Sequence, residues 1–252
     1  MSIFAHKTGL IETTGKTGAG IVTSNLIGNF DPSTGINTSY WDNQVGGGKN
    51  LRRYNGITHN NSAPHNFQFD GSNDYLGEAS SSYGGDPFEW DIGGAYTCCG
   101  WFKHNNAVHY PFAMKNDTNN RWYTQIQSDE DVRLWVEASG TDTFTTKSDF
   151  RSLISNSTWY YFAVSHDGSG NWKVYLNGSF LFKGSAVRDP SGTAALEIGR
   201  RNVSSASYSG SGVKIGKQHI YSALLNDSQI RQNFLASHDI YDARIYGATY
   251  TA

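Results

Sequence analysis

Trp159-Tyr160-Tyr161-Phe162-Ala163-Val164 runs into His166-Asp167-Gly168-Ser169-Gly170-Asn171, and then Trp172-Lys173-Val174-Tyr175-Leu176 ends on Asn177-Gly178. Aromatic and β-branched residues in short runs fit a pleated, half-buried strand. The Asp/Gly/Ser/Asn segment between the two runs is a tight turn. Asn177-Gly178 is the dipeptide that suits a type I′ hairpin, because both central residues of that turn need positive φ. The stretch therefore reads strand, turn, strand, hairpin.

The same signal recurs on either side. Phe67-Gln68-Phe69 alternates apolar and polar, and Tyr96-Thr97-Cys98-Cys99-Gly100-Trp101-Phe102 is a near-continuous apolar strand. Trp122–Gln127 follows, then the turn Ser128–Asp131, then the alternating Val132-Arg133-Leu134-Trp135-Val136-Glu137-Ala138. Phe180-Leu181-Phe182, Ala195–Gly199 and Gly216–Tyr221 add further strands. Upstream, Leu26–Phe30 reads as one strand, and the Asn/Gly/Ser-rich residues 31–66 read as long loops. Asn226-Asp227-Ser228-Gln229 forms a capping box at the start of a short helix, with Ile230 and Phe234 on one apolar face. About ten or more period-2 strands with one late helix predict an all-β protein, a two-sheet antiparallel jelly-roll sandwich with one short C-terminal helix. The expected organisation is an N-terminal arm over 1–25, a sandwich over 26–238 with its core in 67–236, and a C-terminal tail over 239–252.

Composition narrows the function. The chain has 252 residues and a net charge of -2, with 20 Lys+Arg against 22 Asp+Glu, so there is no bulk drive toward nucleic acid. The basic doublets Arg52-Arg53 and Arg200-Arg201 read as solvated loop charge or as a polyanion contact. No apolar run reaches the roughly 18–20 residues of a membrane span. Adjacent Cys98 and Cys99 point to opposite faces of a strand and read as buried small residues, not a disulfide. The first residues lack a basic region followed by an apolar core, so no secretion signal is expected.

Several ordered segments resemble the concanavalin A-like, laminin-G-type jelly roll. Phe69-Asp70-Gly71-Ser72-Asn73-Asp74-Tyr75-Leu76 looks like its opening strand, and Trp101-Phe102 like the next core strand. Trp159–Val164 resembles the strand that enters with a buried Trp, and Lys173–Gly178 the family's Tyr-x-Asn-Gly hairpin. Ile198-Gly199 and Ile220–Ile230 are similar to its last strands and trailing helix. Residues 20–56, with Leu26…Asp31 and either Trp41-x-Asn43 or Trp41-Asp42, also resemble a leader fused ahead of this domain in virion structural proteins of tailed bacteriophages. The resemblance implies a virion location with expression in a host cytoplasm. It also implies a capsid decoration or spike/fibre role, contacts with other virion proteins, and a homo-oligomer. A stand-alone carbohydrate-binding lectin is the second reading, and a glycoside hydrolase the third.

Catalysis finds little support in the residues. Laminarinase-like members of the fold carry Glu-x-Asp-x-x-Glu, which sets two carboxylates about 5–5.5 Å apart for retaining hydrolysis. Here Glu89-Trp90-Asp91 lacks the second Glu, and Asp129-Glu130-Asp131 is consecutive and so shares no face. A non-enzymatic protein without an obligate cofactor is expected. Glycan binding needs exposed aromatics beside polar side chains, and the loops offer Trp41, Tyr83, Trp90 and Tyr208. Asp70-x-Ser72-x-Asp74 and Asp167-x-Ser169-x-Asn171 place side-chain oxygens at alternate positions. That spacing fits either a hard cation such as Ca2+ or a turn in which the side chain holds its own backbone.

Overall fold

The computed structural model describes residues 20–78, 89–117, 119–128, 131–147, 153–186, 190–201 and 206–241. Most of the arm over 1–25, Tyr83, Asp129, Glu130 and residues 242–252 of the tail lie outside them.

The chain begins with β1 (Leu26–Phe30), β2 (Tyr40–Trp41), β3 (Leu51–Tyr54), β4 (Thr58–Asn60), β5 (Asn66–Gln68) and β6 (Tyr75–Glu78). It continues with β7 (Glu89–Asp91), β8 (Ala95–Lys103), β9 (Ala113–Lys115), β10 (Asn120–Ile126), β11 (Val132–Ala138) and β12 (Thr141–Lys147). Then come β13 (Trp159–Asp167), β14 (Asn171–Leu176), β15 (Ser179–Ser185), β16 (Thr193–Glu197), β17 (Arg200–Arg201), β18 (Ser207–Tyr208) and β19 (Lys214–Tyr221). Two helices follow, α1 (Asp227–Leu235) and α2 (His238–Tyr241).

Two antiparallel sheets face each other. One has the order β15-β14-β13-β8-β19-β5-β4, with β1 also paired to β19. The other has the order β12-β11-β10-β9-β16-β7. A three-stranded sheet, β2-β3-β6, and the short pair β17-β18 flank them. Residues 31–66, expected as loops, thus supply three more strands. Their period is hard to see because each is short and edge-like.

The sandwich core collects one phase of every long strand. Tyr96, Cys98 and Phe102 of β8, Tyr160, Phe162 and Val164 of β13, and Trp122 and Ile126 of β10 lie in it with Val132, Leu134 and Val136 of β11. Burying each large side chain contributes about 1.5–3 kcal/mol. The other phase of β8 and β13 is buried as well. Cys99, Trp101, Trp159, Tyr161 and Ala163 pack with Ile230 and Phe234 of α1 and Tyr241 of α2. Burial on both faces is why these two strands read as continuous apolar runs while β11 alternates.

Local chemistry fixes the connections. Asn177 and Gly178 have φ of 49° and 74°, as a type I′ turn requires. Helix α1 packs directly on this hairpin: a Cβ on Gly178 would stand 3.1 Å from Phe234. The α1 capping box is complete, with Asn226 Oδ1 accepting from the Gln229 N–H at 2.9 Å and the Gln229 side chain accepting from the Asn226 N–H at 3.0 Å.

Two parts of the ends belong to the body. The Val22 N–H donates to Asn233 Oδ1 at 2.8 Å, and its carbonyl accepts from the Tyr221 hydroxyl at 2.9 Å. Tyr241, in the sequence-assigned tail, is buried and stacks on Trp101 with ring centroids 4.7 Å apart. There are accordingly two short C-terminal helices where one was expected. Both cysteines are free and buried.

Candidate ligand-binding face

The outward face of the six-stranded sheet is built by simple alternation. In β10 and β11, Trp122, Ile126, Val132, Leu134 and Val136 point into the core. Arg121, Tyr123, Gln125, Arg133, Trp135 and Glu137 therefore point out. Antiparallel register sets them in cross-strand pairs: Tyr123 opposite Trp135, Arg121 opposite Glu137, Gln125 opposite Arg133.

Each pair is joined to its surroundings. The Tyr123 and Trp135 rings stack, 5.7 Å apart and 17° from parallel. Trp135 Nε1 donates to Asp142 Oδ1 at 3.0 Å, and Arg121 forms an ion pair with Glu137. Arg201 Nη1 donates to the Tyr123 hydroxyl at 3.2 Å, and its guanidinium lies 5.6 Å from the Tyr123 ring and 5.9 Å from that of Tyr110. Burial raises the Tyr123 phenol above its ordinary pKa, and the Arg201 charge offsets only part of that rise. Tyr123 is thus a buried neutral ring, and half-buried Trp135 lies over it.

A second stack adjoins the first. Arg200 lies 3.7 Å over the Tyr75 ring and pairs with Glu197. Tyr75 stacks on Tyr54 at 4.2 Å, and Arg52 lies 4.5 Å over Tyr54. The two basic doublets, far apart in sequence, meet here through Arg52 and Arg200. Both guanidiniums rest on tyrosine rings rather than extending as free loop charge.

The glycan-binding candidates separate. Trp41 is a correction: it is fully buried, 5.4 Å from Phe30 and 4.9 Å from Phe67, with Nε1 donating to the Asp31 carbonyl at 3.1 Å. These contacts enclose the indole, so no ring face remains for a sugar. Trp90 is half-buried on β7 at the edge of the six-stranded sheet, with its ring edge-on to Tyr96. Tyr208 is half-buried with its ring 6.3 Å from Tyr75, beside the second stack. The structure does not bring Trp41, Trp90 and Tyr208 together.

Sequence reasoning missed Trp135, Tyr123 and Arg201. A signal for Trp135 was present, since it occupies the polar phase of the alternating strand Val132–Ala138. An aromatic ring in the solvent phase is the residue to question.

The metal candidates separate too. Asp167 Oδ1 accepts from the Ser169 and Asn171 N–H groups at 2.8 and 3.1 Å, and Oδ2 accepts from Asn171 Nδ2 at 2.8 Å. Burial pushes this carboxyl up, but these donors outweigh it and hold its pKa below the ordinary value. Asp167 is a turn-holding residue, not an open ligand. Asp70 and Asp74 lie in the loop between β5 and β6, where Asp74 is buried and Asp70 exposed. Among the described residues, no three His, Cys, Asp or Glu side chains converge as a metal cluster.

Two antiparallel sheets packed face to face, with two short helices over the outer side of one of them, define an all-β sandwich of the jelly-roll class. The sequence profile of the Concanavalin A-like lectin/glucanases superfamily matches residues 70–231, and the chain belongs to that family. A search of the curated proteins finds no match. Among solved structures it is similar to the binding domain of botulinum neurotoxin serotype D, at 13% identity and a TM-score of 0.62, over 84% of this chain and 51% of that one. The binding domain of Paraclostridial Mosquitocidal Protein 1 gives 13% identity and a TM-score of 0.63, over 84% and 52%. The binding domain of botulinum neurotoxin DC, solved in complex with SialylT, gives 14% and 0.61, over 85% and 52%. The chain spans about half the length of these neighbours, and the likeness shows the fold. No helix among the described residues is long and apolar enough to cross a membrane.

Proposed function

We propose that this chain is a non-catalytic binding module that takes a glycan on the outward face of its six-stranded sheet. The observation that carries this reading is Trp135, a partly exposed indole stacked on the buried Tyr123 ring, with Arg121, Gln125, Arg133 and Glu137 on the same outward face. A sugar ring stacks on such a surface, and Gln125, Arg133 and Asp142 stand beside it to meet hydroxyls. Glu137 and Glu197, the buried carboxylates nearest this face, are each held by an arginine, which suits a structural role better than acid-base work. Neighbours described as binding domains support a binding role. The test is a glycan array followed by titration of wild type and Trp135→Ala. Absence of any hit at millimolar sensitivity, or undiminished binding by the variant, overturns the reading, as does β-glucan turnover that depends on Glu89 or Asp91.

We further infer a virion setting, as a capsid decoration or spike/fibre component of a tailed phage that contacts other virion proteins as a homo-oligomer. Its support is the resemblance of the leader plus jelly roll. Mass spectrometry of purified particles tests the location. Light scattering on full-length and arm-deleted protein tests the assembly, and a monomer absent from particles returns the chain to the stand-alone lectin reading.

A further inference from the structure

We propose that Asn55 is a covalent modification site, at which the side-chain amide is lost through a succinimide formed with Gly56 and replaced by an aspartate or isoaspartate. The inference is independent of the glycan reading.

The chain has two Asn-Gly dipeptides, Asn55-Gly56 and Asn177-Gly178. In both, the nucleophile is the backbone nitrogen of the glycine. With no Cβ beside it, that nitrogen can meet the side chain of the asparagine before it. Residue chemistry is therefore the same at the two places, and the fold sets them apart.

Asn177-Gly178 closes the ladder between β14 and β15, with Leu176 opposite Ser179. The Asn177 N–H donates to the Tyr161 carbonyl at 2.7 Å, and its Oδ1 accepts the Tyr161 N–H at 2.9 Å. Gly178 is buried, with Phe234 and Arg231 of α1 packed against it. Swinging the Asn177 amide carbon onto the Gly178 nitrogen breaks these bonds and displaces α1.

Asn55-Gly56 joins β3 to β4, which lie in different sheets, so no ladder closes around it. Both residues are exposed, and a Cβ on Gly56 would meet nothing within 4 Å. The Ile57 N–H reaches the Tyr54 carbonyl at only 3.5 Å, the weak end of hydrogen bonding. The side chain is held through Nδ2, which donates to the Asn73 carbonyl at 2.6 Å in an exposed position. That bond engages the nitrogen that departs, not the carbon that is attacked.

Water is the only co-reactant. Base removes the Gly56 N–H proton, and the nitrogen attacks Asn55 Cγ. The Cγ–Nδ2 bond breaks, and Nδ2 takes up a proton and leaves as ammonia. Water then adds to one carbonyl of the succinimide and opens the ring. Opening at Cγ gives aspartate; opening at the backbone carbonyl gives isoaspartate, with the chain running through the side chain. Nothing is oxidised or reduced. Either product puts a carboxylate where Nδ2 donated to Asn73, between Asp70 and Asp74 in sequence, and directly after Tyr54 of the Tyr54–Tyr75 stack.

The test uses the full native chain, held at mildly alkaline pH and sampled over days. Peptide mapping localises each event by its gain of about 1 Da. Asn55 should be modified at least about tenfold faster than Asn177 in the native chain, and the two rates should converge within about threefold in urea, where the fold no longer protects either. Asn55→Gln should remove the early mass gain and the acidic charge variant that accompanies it. Equal native rates at the two sites overturn the proposal, as does an unmodified native Asn55, whether or not it reacts in urea. So does an early mass gain that persists in Asn55→Gln.

Discussion

Tyr123 and Trp135 stand opposite each other on adjacent antiparallel strands, with stacked rings, on the face of the sheet turned away from the core. One residue before Tyr123, Trp122 points the other way and is fully buried against Tyr96 and Trp172. These two tryptophans should behave in opposite ways. Trp135→Ala should weaken glycan binding by about 30-fold, or about 2 kcal/mol, with little change in Tm. Trp122→Ala should cost about 3–5 kcal/mol of stability. Calorimetric titration beside thermal melts separates the two effects.

Arg201 holds the Tyr123 hydroxyl and covers the Tyr110 and Tyr123 rings. Arg201→Met keeps much of the apolar stem and removes the donor and charge. It should lower stability by about 1–2 kcal/mol, while Arg201→Lys recovers only part because an ammonium lacks the planar stacking surface. Denaturant melts of the two variants check the order.

The Asn177-Gly178 turn allows no side chain at its second position. Gly178→Ala meets both a left-handed φ of 74° and the Phe234 Cβ 3.1 Å away. The strain alone costs about 1–2 kcal/mol, and the contact with α1 adds to it. Gly56, with a φ of 90° and nothing within 4 Å, supplies the control. Gly56→Ala should show the backbone cost without the added clash.

Acid should destabilise this protein before its carboxylates titrate. Burial is the first cause that lowers His109 to about 3 and His219 to about 4, with the His104 and Lys217 charges adding to it. Unfolded, each histidine takes up its proton near pH 6.5. Below that pH the unfolded chain binds protons that the folded chain refuses, so stability is complete above about 6.5 and declines as the pH falls toward 3–4. Urea midpoints across pH 8 to 4 should decline over this window, and His219→Gln should flatten the decline.

Cys98 and Cys99 should be inert in the native state. Both are buried, and burial pushes the Cys99 thiol up to about 12 and raises Cys98 well above its ordinary value. The thiolate is the reactive form. A thiol reagent at pH 8 should modify neither residue until denaturant is added, and rapid native labelling of either contradicts the burial.

The aromatic strands, the Asn177-Gly178 hairpin and the Asn226/Gln229 cap were legible because their causes are local: a period of two, a demand for positive φ, and a reciprocal pair of hydrogen bonds. Trp41 was misread for the opposite reason. Its neighbours in sequence are polar and turn-like, but its partners Phe30 and Phe67 come from β1 and β5. The candidate face was half legible. Alternation in Val132–Ala138 marked Trp135 as out of phase with the core, yet nothing local announced Tyr123, Arg201 or Asp142 beside it.

Where the chain extends, where it turns and which residues alternate could be read from residue order alone, since each follows from contacts within a few residues. Long-range packing settled which sheet face α1 and α2 cover and which stays outward. It also buried Asp74 and left Asp70 exposed. Period two says that a strand has two different sides; it does not say what will come to lie against either of them. That choice is made by segments far apart along the chain, through burial and packing that no local pattern encodes.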